Sequence, residues 1–236
     1  MKIEEKEKKI FSLEEFEKKI GLSFKNKSLI ELAFIHRSYL NENRGEVKEH
    51  NERIEFLGDA VLELVTTEML YKKFPEMKEG EMTALRSALV NTDSLSKQAS
   101  RLEMENFLKM SKGEASSNKG RWHILANTFE SVIGAIYLDF GYEQSKKFLE
   151  INLFPYLDEI LDNELHRDPK SYFQELSQER KKITPDYKII GEDGPEHDRE
   201  YIMAVYIGDE FVAEGRGSSK KNAEIDAAKN ALKIKK

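Results

Sequence analysis

Residues 51–65 read NERIEFLGDAVLELV. Four carboxylates, Glu52, Glu55, Asp59 and Glu63, sit among Ile, Phe, Leu, Ala and Val, in a stretch greasy enough for a protein core. On a helix with Glu55 as origin, Asp59 falls at about 40°, Glu52 at about 60° and Glu63 at about 80°. Ile54, Leu57, Val61, Leu64 and Val65 occupy the opposite arc, with Phe56 and Leu62 flanking the seam. The pattern predicts a helix that is apolar nearly all round and carries one narrow acidic seam. Most charge stripes are solvated faces. Acids at i, i+3 and i+4 without interleaved Lys or Arg repel one another, however. Crowding also raises their pKa values unless a cation intervenes. A hard divalent ion, Mg2+ or Mn2+ as its substitute, is the usual remedy for such oxygen ligands.

A second segment repeats the device. In RWHILANTFESVIGAIYLDFG (121–141), with Asn127 as origin, Glu130 lies at about 300°, Ser131 at about 40°, Gly134 at about 340° and His123 at about 320°. Ile124, Leu125, Phe129, Val132, Ile133 and Ile136 fill the other side. Two mostly buried helices, each with one polar seam, are suited to pair around a metal-bearing cleft. His123 and Ser131 read as ordinary capping or packing residues. Glu130 reads as functional, because an unpaired acid in so apolar a helix is costly.

Outward from these stretches, apolar residues recur at helical spacing over 13–20, 28–40, 52–73, 80–90, 92–102, 122–140 and 142–161. SKGEASSNKGR (111–121) is a polar, glycine-containing surface loop by composition. The periodicity breaks in LDNELHRDPK (161–170), which predicts an all-α domain over 1–161, a linker over 162–168 and a second domain over 169–236. SYFQELSQERK has helical spacing. PDYKIIGEDG, REYIMAVYIGDE and FVAEGRG alternate apolar and polar residues between turn signals. SSKKNAEIDAAKNALKIKK is alanine-rich and opens on a serine cap. The second domain is therefore a small α+β unit of order α-β-β-β-α.

The chain has 236 residues, 39% hydrophobic and 35% charged, and no cysteine, which excludes disulfides and thiolate metal sites. MKIEEKEKKIF at the start holds no apolar signal region, and no long apolar stretch follows. A cytoplasmic protein with no membrane partner and no nucleotide cofactor is expected. Net charge is −6, which taken alone argues against a nucleic-acid partner. Residues 169–236 hold 13 basic and 13 acidic residues, so the first 168 carry all of the −6. Within residues 216–236, 7 basic residues face 2 acidic ones, a local patch that the total conceals.

Together these motifs resemble the ribonuclease III family, in its bacterial form. NERIEFLGDAVLEL is similar to its signature, FIHRSYLNEN (34–43) to its His-x-Ser segment, and KEGEMTALRSALVN (78–91) to the helix that follows. ILANTFESVIGAIYLDFGY (124–142) is similar to its second acidic helix. DPKSYFQELSQ, GPEHDREY and GRGSSKKNAEIDAAKNAL appear in the order of a double-stranded-RNA-binding domain. The resemblance covers nearly the whole chain. It implies a homodimeric, Mg2+-dependent enzyme that cuts both strands of duplex RNA to staggered 5′-phosphate ends, in ribosomal-precursor and messenger processing. It implies Glu55 as a metal ligand, Asp59 as a catalytic acid, Glu130 as both ligand and catalytic residue, and Glu52 and Glu79 as further acids of the cleft.

One position departs from the pattern. Where the family carries Asp, in Asp-x-x-Glu, this chain has Asn127, which keeps the shape and a carbonyl oxygen but loses the charge. Weaker Mg2+ binding and reduced cleavage are expected, with RNA binding kept. Such a change is what one would engineer to trap a substrate, and a natural variant would carry it equally.

Duplex RNA is read through 2′-hydroxyls and phosphates. Lys220 and Lys221 open the last helix, where their charge adds to the helix N-terminus. Gln174, Glu175 and Gln178 offer hydrogen-bonding groups from the first helix of the domain, and His197 matches the family's minor-groove loop residue. Each is an ordinary surface residue when taken alone. Two further functions stand beside the nuclease: a duplex-RNA-binding protein whose nuclease centre is disabled, and a metal hydrolase of small phosphate esters. The last leaves the basic final helix without a purpose.

Overall fold

A computed structural model describes residues 12–234 apart from 44, 46, 117 and 196–198. The chain divides into two compact units with the boundary between His166 and Arg167.

The first unit is helical: α1 (Leu13–Ile20), α2 (Lys27–Ala33), α3 (Arg37–Glu42), α4 (Glu52–Lys73), α5 (Glu79–Leu89), α6 (Thr92–Arg101), α7 (Lys112–Ser116), α8 (Asn118–Phe140), α9 (Tyr142–Asn152) and α10 (Tyr156–Asp162). A one-turn 3-10 helix, Met104–Asn106, lies between α6 and α7. The long helices α4 and α8 pack against each other at the centre. Leu62, Val65 and Leu70 of α4 and Phe129, Ile133 and Ile136 of α8 share one buried cluster with Phe16, Phe34 and Leu89.

Three expectations change. The helix read over 28–40 is two helices, because His36 turns extended and caps α3 by accepting the Ser38 amide. The helix read over 142–161 breaks before Pro155, whose ring excludes a continuing helical hydrogen bond. The stretch read as a loop over 111–121 coils into α7 and the first turn of α8.

The second unit is α11 (Pro169–Lys181), β1 (Asp186–Asp193), β2 (Glu200–Ile207), β3 (Glu210–Gly217) and α12 (Lys220–Ile234), the α-β-β-β-α order. Asp168 caps α11 by accepting the Ser171 amide at 2.9 Å, with Pro169 at the first helical position. The antiparallel sheet has order β1-β2-β3. Gly208 at φ 60° makes the tight β2–β3 turn. Ala223, Ala227, Ala228 and Ala231 are fully buried against the sheet. At Gly215 a Cβ would run into the Ala227 amide, so α12 lies directly on the β3 backbone. Among the described residues no helix is long and apolar enough to cross a membrane.

Candidate functional site

The acidic seams of α4 and α8 face each other because two glycines let the helices touch. A Cβ on Gly58 would strike the Glu130 carbonyl and lie 2.9 Å from the Gly134 nitrogen. One on Gly134 would strike the Ile54 carbonyl and lie 2.8 Å from its Cγ2. Gly58 sits between Glu55 and Asp59, and Gly134 one turn beyond Glu130. The contact that joins the backbones therefore also sets the carboxylates together.

The electrostatics carry the mark of that crowding. Glu130 has its pKa pushed to about 8, by burial first and then by Asp59, Glu55 and Glu63. Glu55 is raised by burial and by Glu52 and Asp59, while a hydrogen bond with the Asn127 side chain acts the other way. Among the described residues no ion pair reaches Glu55, Asp59 or Glu130. The outer acids are neutralised: Glu52 pairs with Arg37 at 3.3 Å and Glu63 with Arg86 at 2.9 Å. Asp59 is exposed, whereas Glu55, Asn127 and Glu130 are half-buried. Ser131 donates to the Asn127 carbonyl at 2.8 Å, a packing role, and His123 is exposed.

Carboxylates and the Asn127 amide make up this cluster, and its excess negative charge suits a hard divalent cation. Yet among the described residues no three His, Asp or Glu side chains are gathered closely enough to hold an ion unaided. The neutral amide of Asn127, hydrogen-bonded to Glu55, adds no charge to the group.

Glu79 does not join the cluster within one chain. It opens α5, accepts from the Thr83 hydroxyl at 3.1 Å, and shares a hollow with Thr67 and Tyr71. Thr67 stands about 18 Å along α4 from Glu55 at the helical rise of about 1.5 Å per residue. Leu64, on the arc opposite the acids, is 59% exposed, and Phe56 and Tyr71 of the same helix are 80% and 70% exposed. Two residues escaped the reading of the sequence. Gly58 could have been found, since a lone glycine inside an apolar helix signals a close approach. Arg86, which also donates to the Thr67 hydroxyl at 2.9 Å, carried no signal, because its pairing with Glu63 depends on how α5 packs.

In the second unit Gln174, Glu175 and Gln178 are exposed on α11, with Gln178 donating to the Thr184 hydroxyl at 2.6 Å. Lys220 and Lys221 are exposed at the start of α12, where Ser219 accepts the Asn222 amide. Lys170 pairs with Glu224 at 2.6 Å and ties α11 to α12. His197 lies outside the described residues.

Comparison with known proteins agrees with this architecture. Residues 26–157 match the family described as Ribonuclease-III-like, and residues 169–235 match the Double-stranded RNA binding motif. Ribonuclease 3 of Bdellovibrio bacteriovorus is 43% identical over 221 residues, 93% of this chain and 94% of that protein. Ribonuclease 3 of Nitratiruptor sp. is 45% identical over 230 residues, 95% and 97% of the two chains. Among solved structures, the nuclease domain of ribonuclease III from Campylobacter jejuni, described for flexibility in a region involved in dimer formation, superposes with TM-score 0.53. It is 39% identical and covers 61% of this chain and 99% of its own.

Proposed function

The chain belongs to the ribonuclease III family and carries a double-stranded-RNA-binding motif, and we propose that it hydrolyses both strands of duplex RNA with Mg2+ or Mn2+. The products are staggered ends bearing 5′-phosphate and 3′-hydroxyl, in the cytoplasmic processing of ribosomal precursors, messengers and transfer RNAs. The observation that carries this reading is the crossing of α4 and α8 at Gly58 and Gly134, which gathers Glu55, Asp59, Asn127 and Glu130. Glu55, Glu130 and the Asn127 carbonyl oxygen would hold the ion. When bound there, it lowers the pKa of a water and stabilises charge on the scissile phosphate. Asp59, the exposed acid of the group, orients the attacking water. The second unit grips the duplex through Lys220 and Lys221 on phosphates and through Gln174, Glu175 and Gln178 on minor-groove hydroxyls.

The exposed face of α4 that carries Phe56, Leu64 and Tyr71 is the surface on which a second copy docks. The Campylobacter relative, whose structure concerns dimer formation, supports pairing of two copies. Light scattering should give twice the chain mass for the wild type and a smaller species for Phe56→Asp.

The decisive assay is long duplex RNA incubated with Mg2+ and, separately, with Mn2+. Nicking of both strands with 5′-phosphate ends is expected. Equal cutting of single-stranded RNA, or none with either ion, would sink the reading. Asn127 favours a second reading, a duplex-RNA-binding protein without cleavage, and the same assay decides between them.

A further inference from the structure

The His-x-Ser segment has no task in the function just described, yet it anchors a continuous hydrogen-bond chain. His36 Nδ1 accepts the Ser38 amide at 3.3 Å. A backbone N–H only donates, so Nδ1 carries no proton and Nε2 does. The Ser38 hydroxyl lies 2.8 Å from the same nitrogen and accepts the Ser111 amide at 2.9 Å, so its own proton points to Nδ1. Ser111 Oγ accepts the Glu114 amide at 3.2 Å and so caps α7. One imidazole nitrogen thus orients the first turns of both α3 and α7.

The same short strap holds the opening of the acidic helix. Ile35 O accepts the Asn51 amide at 2.9 Å, and Ala33 O accepts from the Asn51 side chain at 3.3 Å, immediately before α4. Beside it, Lys109 N donates to Phe34 O at 2.8 Å and His36 N to Lys109 O at 3.0 Å. Residues 33–38 therefore bind the start of α4 to the segment that leads into α8. That segment, 111–121, carries Lys112, Lys119 and Arg121 against the single acid Glu114, in a unit whose net charge is negative. Phosphates have no favourable contact with bare carboxylates, and a basic lead-in to the helix of Asn127 and Glu130 supplies one.

We propose that His36 and Ser38 are positioning residues for duplex RNA: through Ser111 they hold α7, and with it the start of the basic 111–121 segment, in the orientation that meets the phosphate backbone. The role deepens the duplex-RNA function proposed above and rests on it. The groups that face His36 are Glu114 from α7, Arg37 of its own helix, Glu52 of α4 and His50 from the preceding loop. Burial leads these influences and holds its pKa below the ordinary value, which keeps Nδ1 free to accept at neutral pH. Acid that protonates Nδ1 removes the acceptor of the Ser38 amide and forces the Ser38 hydroxyl to turn from donor to acceptor, which loosens the start of α3.

The test uses the full chain and three variants, His36→Ala, Ser38→Ala and His36→Asn. Asparagine places Oδ1 where Nδ1 stood, accepts the same hydrogens and does not titrate. Binding of a fluorescent RNA duplex without divalent ion should weaken about tenfold in the two alanine variants, the order expected for one lost hydrogen bond. Their single-turnover cleavage rate at saturating RNA should stay within about twofold of wild type, and His36→Asn should restore binding to within about twofold. As pH falls from about 6.5 to about 5, wild-type affinity should drop more steeply than that of His36→Asn. Hydrogen exchange at the Ser111 amide should quicken in both alanine variants and stay slow in His36→Asn. Alanine variants that bind like wild type overturn the proposal, as does an asparagine variant no better than alanine, or rates that fall at unchanged affinity. A wild type that binds no duplex sinks the proposal and the function together. Duplex binding with unaltered Ser111 exchange in the variants sinks the positioning role alone.

Discussion

Both units of this chain bring backbones into contact through glycine, with opposite electrostatic results. In the nuclease unit Gly58 and Gly134 let α4 touch α8 where the acids lie, so carboxylates are half-buried and Glu130 is driven to about 8. In the RNA-binding unit Gly215 lets α12 rest on β3, but buried alanines line the contact and Lys220 and Lys221 stay at the exposed helix start. One close approach concentrates charge that calls for a cation from solution; the other keeps charge outside, ready for phosphates. The two units should therefore respond differently to steric, electrostatic and salt perturbation.

Adding a methyl group at each contact tests the comparison most severely. Gly58→Ala places Cβ against the Glu130 carbonyl, and relief requires the two helices to separate. The first unit should lose about 3 kcal/mol or more of stability, and cleavage should fall by at least about 100-fold as the acids part. Gly215→Ala meets the Ala227 amide and should lower the stability of the second unit by a similar amount. It should weaken RNA binding while leaving single-turnover cleavage at saturating RNA within about threefold. Thermal melts and single-turnover assays read both. Equal loss of cleavage chemistry in the two variants would break the distinction.

Position 127 probes the charge within the first contact. Asn127→Asp puts a further carboxylate beside Glu55, to which the Asn127 side chain now hydrogen-bonds. Mg2+-dependent cleavage should rise about 100-fold or more, as expected when an ion-holding group gains its charge. Titration calorimetry should show tighter Mg2+ binding. Equal rates for the two versions would mean that the amide oxygen suffices, and the charge argument would fall.

Much of this was legible in the sequence, and the exceptions have identifiable causes. Residues 52–73 were expected as a helix and form one, because a long apolar period with an acidic seam has few alternatives. The α-β-β-β-α order of the second unit was equally plain from its alternation and turns. The break at His36 was hidden because its cap sits inside an unbroken apolar rhythm. Leu64 lies on the apolar arc opposite the acids yet is exposed, because helical phase alone cannot tell which apolar residues of a helix meet the core. Glu79 could be matched by motif, but its distance from Glu55 depends on the α4–α5 connection, which carries no such signal.

The pH response of the metal-free protein is a smaller effect with a definite sign. The folded pKa of Glu130, about 8, lies above its ordinary value of 4.5, with burial the leading cause and Asp59, Glu55 and Glu63 following. Its contribution to stability is complete below about pH 4.5 and is lost as pH rises toward about 8, on the order of a few kcal/mol. The melting temperature of the first unit should decline across that window in the presence of a chelator. Glu130→Gln should flatten the decline, and Mg2+ should offset it at the alkaline end. A wild-type melting temperature that holds steady or rises would show that the carboxylates are not crowded.

The smallest effect belongs to the exposed charges. Lys220 and Lys221 stand at the start of α12, where backbone amides and ammonium groups add. Replacing both with alanine should weaken duplex binding about tenfold at moderate salt and reduce the slope of log affinity against log salt by about 2. Cleavage at saturating RNA should not change, since neither lysine belongs to the unit that holds the acids. The sign of the salt response separates the two contacts. Added NaCl should weaken binding through the lysines steeply, while above about pH 8, where Glu130 is ionised, the metal-free stability of the first unit should rise as salt screens the repulsion among Glu55, Asp59 and Glu130. Stability of the first unit that fell with salt while RNA binding held constant would reverse the assignment of charge to the two contacts.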